Sequence, residues 1–94
     1  MQNLSLLLTK LENLVMEWEK NSKDELLYFT TIKMLLSEMT ENRNFPSDQK
    51  DKVVDCNWNI DSMFNINTGN GHSFEQHQKW FLGNISNIQS TLKF

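Results

Sequence analysis

Apolar positions recur at helical spacing in four separate stretches of this chain. Leu4, Leu7, Leu8, Leu11, Leu14, Val15 and Trp18 keep to an i, i+3, i+4, i+7 pattern without a miss. That spacing predicts an amphipathic helix over residues 4–20, with Asn3 as its N-cap. Tyr28, Ile32, Leu35, Leu36 and Met39 carry a second stripe, predicting a helix over 23–41. Ser22 and Glu25 before it have the spacing of a capping box. Leu27 and Met34 form a weaker apolar line on its far side. A third helix, over 47–64, starts after Pro46, which a first helical turn accommodates. Phe74, His77, Phe81, Ile85, Ile88 and Leu92 define a fourth, over 74–92, opened by a second capping box from Ser73 to Gln76.

The breaks between the stripes are short, except for Asn65 to His72. That stretch holds two of the three glycines and reads as a surface loop, with Asn70-Gly71 favouring positive φ. Short connections make successive helices antiparallel neighbours. The expected fold is therefore all-α: one domain over 1–94, an antiparallel up-down-up-down four-helix bundle. The alternative is an irregular orthogonal helical domain.

The third stretch has two faces, and a bundle can use only one. Val53, Cys56, Ile60, Met63 and Phe64 form its core stripe. Opposite them fall Asp48, Asp51, Asp55 and Ser62, with Trp58 in their midst. Asp61, on the same helix, completes the candidate partner-binding set of Asp48, Asp51, Asp55, Trp58 and Asp61. A large aromatic among carboxylates is not the usual content of a solvated face. The competing expectation is that Trp58 covers a neighbouring loop and the Asp row is ordinary surface. Leu6, Met16, Leu27, Met34, Val54, Trp80 and Leu82 also lie off their stripes. Trp80, about 110° from its stripe centre on a helical wheel, is the one expected to pack at a helix boundary. Gly83 in mid-helix costs about 1 kcal/mol relative to Ala, which asks for a close approach by a neighbouring helix or a partner.

Charge narrows the function classes. The chain has 12 acidic and 9 basic residues, a net charge of -3, and Arg43 as its single arginine. No Lys/Arg cluster is present to neutralise phosphates, which argues against nucleic acid and against an anionic membrane surface as partners. No apolar run reaches the roughly 20 residues that span a bilayer. The N-terminal segment lacks the basic region and cleavage site of a secretory signal, so a cytoplasmic location is expected. Cys56, the one cysteine, is expected buried and inert.

Candidate chemistry is sparse. His72, Glu75 and His77 invite a metal reading, but the histidines stand at i, i+5 rather than i, i+4 and lack a third ligand nearby. A histidine hydrogen-bonded at the core edge is the plainer expectation for His77. Asp51 and Asp55 on an open face lack the apolar pocket that acid catalysis requires. No metal, no cofactor and no enzymatic activity are expected. What remains is a surface. The expected function is binding a protein with a basic surface, in the most concrete form a bacterial immunity protein or antitoxin occluding the Lys/Arg-lined cleft of a nuclease toxin. The alternatives are an adaptor or chaperone, or a structural or regulatory homo-oligomer, at least a homodimer, that buries its surplus apolar residues across a two-fold axis.

Overall fold

A computed structural model describes residues 3–64 and 71–92. It contains α1 (Leu4–Glu17), α2 (Glu25–Glu41), a 3₁₀ turn (Ser47–Gln49), α3 (Lys50–Phe64) and α4 (Phe74–Thr91), with no strand among the described residues. Of the expected loop, 65–70 lie outside the described residues. Gly71 follows them at φ 81°, the left-handed region that glycine enters without a Cβ clash.

Each helix packs against two others, α1 and α3 against both α2 and α4. Contacts at one end fix the directions. Trp18, just past the end of α1, meets Phe74 at the start of α4 edge-to-face, with ring centroids 5.7 Å apart. Its indole Nε1 donates to Glu25 at the start of α2 at 3.0 Å. Lys20 donates to the carbonyls of Met63 and Phe64 at the end of α3, at 2.8 and 2.9 Å. The C-termini of α1 and α3 therefore share an end with the N-termini of α2 and α4. This is the up-down-up-down four-helix bundle.

The stripes find one another in a single core. Leu7, Leu8, Leu11, Ile32, Leu36, Met39, Ile60, Met63, Phe81, Ile85 and Ile88 are fully buried or nearly so, each worth roughly 1.5–3 kcal/mol in apolar surface removed from water. Four expected core residues, Leu14, Tyr28, Phe64 and Leu92, are only partly buried. Phe64 stacks on Phe29 at 4.4 Å, extending the core edge between α2 and α3.

Local differences from the pattern have physical causes. α1 ends at Glu17 rather than residue 20, because Trp18 leaves helical geometry (ψ 120°) to place its ring on Phe74. Asn21 then turns the chain at φ 68°, a conformation Asn tolerates better than most residues. The expected Ser22–Glu25 capping box does not form. The Glu25 carboxylate is taken by Trp18 and by Lys20 at 3.3 Å, and α2 starts behind Asp24 without a side-chain cap. Asn3 and Ser73 do cap, accepting from the backbone N–H of Ser5 and Gln76 at 2.7 and 3.1 Å. The third stretch opens as a 3₁₀ turn after Pro46 and becomes α-helical at Lys50.

Candidate functional site

Asp51, Asp55 and Trp58 stand at i, i+4 and i+7 of α3 and share one exposed line. Asp48 is exposed on the 3₁₀ turn just before it. Asp61 is exposed as well, and Lys33 of α2 holds its carboxylate at 2.8 Å and reaches the Asn57 side-chain oxygen at 2.9 Å. Its charge is paired at the surface, while those of Asp51 and Asp55 lie along the Trp58 line. Ser62, expected on this face, is buried instead. The inward face of α3 is wider than its apolar stripe, because Asn59 is buried too.

Trp58 is 48% exposed, and among the described residues its ring rests on His77 and Trp80 of α4. Its ring meets His77 edge-on, with centroids 4.9 Å apart, and lies nearly parallel to Trp80 at 6.3 Å. His72 packs edge-on against Trp80 at 4.8 Å and against His77 at 5.8 Å. Four rings thus form one cluster bridging α3 and the N-terminal half of α4.

At the base of that cluster His77 is fully buried, with Nδ1 2.9 Å from Asn59 Oδ1. An amide oxygen only accepts, so Nδ1 carries the proton and donates. Burial, with a smaller contribution from His72, holds the His77 pKa below its ordinary value. The pair fills the role expected of a core-edge histidine. His72 and His77 do approach each other, but as ring contacts. Among the described residues no three His, Cys, Asp or Glu side chains converge as a metal site.

Beside the rings runs an open groove of about 620 Å³ between α3 and α4. Asp55, Trp58 and Asn59 form its α3 wall. Trp80, Gly83, Asn84 and Asn87 form its α4 wall, with Lys79 on that rim. The α4 contribution is what the sequence reading missed. Its signal was present, since Trp80, Gly83, Asn84 and Asn87 recur at i, i+3, i+4 and i+7, the spacing of one helical face. Gly83 is exposed, and a Cβ built there would meet nothing within 4 Å. No neighbouring helix comes close, so close helix packing does not explain this glycine.

Cys56 is buried behind Asp55, and burial with the charge of Asp55 pushes its thiol up to about 12. It is a protonated core side chain at neutral pH. On the opposite side of the bundle, Leu27 (65% exposed) and Met34 (56%) border shallow hollows between α1 and α2, whose shared wall is Leu14 and Thr31. Among the described residues no helix is long and apolar enough to cross a membrane. Compared with family models, curated proteins and solved structures, the chain gives no significant match to any of them.

Proposed function

We propose that this chain is a protein-binding module whose partner presents a basic surface. The most concrete form is an immunity protein or antitoxin that occludes the cationic cleft of a nuclease toxin. The observation that carries this reading is Trp58, half-exposed in line with Asp51 and Asp55 while supported from below by His77 and Trp80. Interfaces concentrate binding energy in such anchored aromatics, and the surrounding charge steers encounter. The net charge of -3 works in the same direction.

The test uses the product of the neighbouring gene, assayed for nuclease activity with and without this chain. Inhibition that Trp58→Ala weakens by about 2 kcal/mol or more supports the reading. Replacing Asp51 and Asp55 by Lys should mainly slow association and flatten its salt dependence. Inhibition indifferent to all three changes would move the interface elsewhere.

A second reading draws on Leu27 and Met34. Two large apolar side chains, exposed one heptad apart on α2, are the content of a self-complementary interface. Light scattering on the purified chain decides it, since a homodimer through that face must be dimeric without any partner.

A further inference from the structure

We infer that the groove between α3 and α4 takes an extended segment of the partner through one arginine side chain, whose guanidinium lies against Trp58 and Trp80 and meets Asp55. The inference rests on the reading of the acidic α3 face as a partner surface and names what that surface grips.

Two observations point to an arginine. Two indoles line the groove nearly parallel, 22° apart, and both keep exposed surface. Indole faces attract cations, and the flat guanidinium stacks on them better than a compact, strongly hydrated ammonium does. Asp55 stands on the same α3 wall, so the cation finds a carboxylate where its charge arrives, and guanidinium can meet carboxylate through two parallel hydrogen bonds. Lys79 on the α4 wall bears the same charge as the arginine, so the cation is held on the Asp55 side and the slot does not suit a polybasic run.

The rest of the groove suits a main chain. Asn84 and Asn87 offer side-chain amides, groups that both donate to and accept from a peptide backbone. About 620 Å³, open to solvent, falls in the range of sites that hold a small ligand or a few residues of chain. Gly83 adds an observation about space. A glycine at an exposed position in the middle of a helix weakens it, and among the described residues no side chain or backbone fills the space above it. The space is then kept for something outside the chain, and it opens into the same groove.

Nitrogen–proton NMR provides the test, because Trp18, Trp58 and Trp80 each give one indole signal. Trp18 is almost fully buried at the far end of α1 and serves as the internal control. The probe is a short blocked peptide with one central arginine between serines, titrated beside its lysine and glutamine counterparts. The expected result is a saturable shift of the Trp58 and Trp80 signals and of the Gly83 and Asn84 amides, with Trp18 unmoved. The lysine peptide should bind about tenfold more weakly, a difference of the size that stacking and bidentate pairing supply, and the glutamine peptide should give no response. Gly83→Leu, which has room to fold, should abolish the shifts. Should its spectrum change beyond the groove, Asn87→Ala at an exposed position replaces it, with reduced binding expected. Equal binding of arginine and lysine, no saturable shift, or a response that survives Gly83→Leu would overturn the slot. If inhibition of the toxin persists and still depends on Trp58 after any of those outcomes, the slot alone has failed and the acidic face stands.

Discussion

The protein uses tryptophan in two opposite ways, and the contrast separates what holds the bundle together from what it can offer outside. Around Trp18 the indole N–H and the charges of Lys20 and Glu25 are spent internally. Its indole N–H goes to Glu25, Glu25 also takes Lys20, and Lys20 reaches the last carbonyls of α3. Those carbonyls are the unsatisfied, negative end of the helix dipole, so a lysine there both hydrogen-bonds and neutralises. Trp18 itself is 3% exposed. Around Trp58 only the base is spent, in the His77–Asn59 pair. Above it two indoles, the amides of Asn84 and Asn87 and the Asp55 carboxylate line open space. A structural aromatic is enclosed with its polar atom satisfied; a binding aromatic is braced from one side and left open on the other.

The strongest way to break this comparison is to truncate both rings. Trp18→Ala should lower stability by about 3–5 kcal/mol, the cost of a large core cavity. Trp58→Ala should cost the isolated protein no more than about 1 kcal/mol, as changes at half-exposed positions do. Urea unfolding read by circular dichroism gives both numbers. Equal losses would make Trp58 a core residue and remove the basis of the proposed surface.

Next in size is the Lys20 clamp. Lys20→Met keeps the aliphatic stem but removes the bonds to Met63, Phe64 and Glu25. A loss of about 1–2 kcal/mol is expected, since the last carbonyls of α3 lose a charged donor. An unchanged unfolding midpoint would mean that water serves those carbonyls as well, and that the Trp18 end is less internally committed than its contacts indicate.

The two regions differ in how far the sequence alone revealed them. Periodicity placed Trp18 in the core and Trp58 off the core stripe, because both facts depend only on position around one helix, but it left open whether Trp58 is bare or covered. It could not tell that Lys33 would claim Asp61, or that Glu25 would serve Trp18 instead of its own helix cap. Such pairings depend on how far one helix is slid along another. The same limit hid half of the groove. Trp80 looked like a packing residue of α4 and Gly83 like a close approach by a helix or a partner, and only the register of α4 against α3 brings them opposite Trp58 and Asp55. Asn59 went unnoticed because a buried amide is legible only through its partner, and His77 sits on another helix.

That pair makes the third, smaller effect a matter of pH. His77 has a pKa below the unfolded value of about 6.5. Between the two pKa values the unfolded chain binds the extra proton, so stability rises with pH across that window. The contribution is fully present above pH of about 6.5 and is lost as pH falls through the window. Thermal midpoints measured from pH 7.5 down to 5, as about the span to cover, should therefore fall more steeply for the parent than for His77→Phe. Parallel profiles would show that His77 accepts a proton in place, and that the base of the ring cluster is less firmly closed than the Trp18 end.

The smallest effect sharpens the comparison most. Gly83→Ala adds one methyl group to an exposed helical position where nothing stands within 4 Å. Helix propensity alone then acts, through the backbone entropy that glycine gives up on folding, and the isolated protein should gain up to about 1 kcal/mol. Gly71 is the control. Its φ of 81° is one an L side chain rarely adopts, so Gly71→Ala should destabilise although it too has open space around it. A gain at Gly83 means that the chain forgoes stability inside the groove, the pattern of a surface shaped for something other than its own fold. A loss there would mean that the glycine is needed by the helix itself. The groove would then be a by-product of packing, and the contrast with the Trp18 end would rest on Trp58 alone.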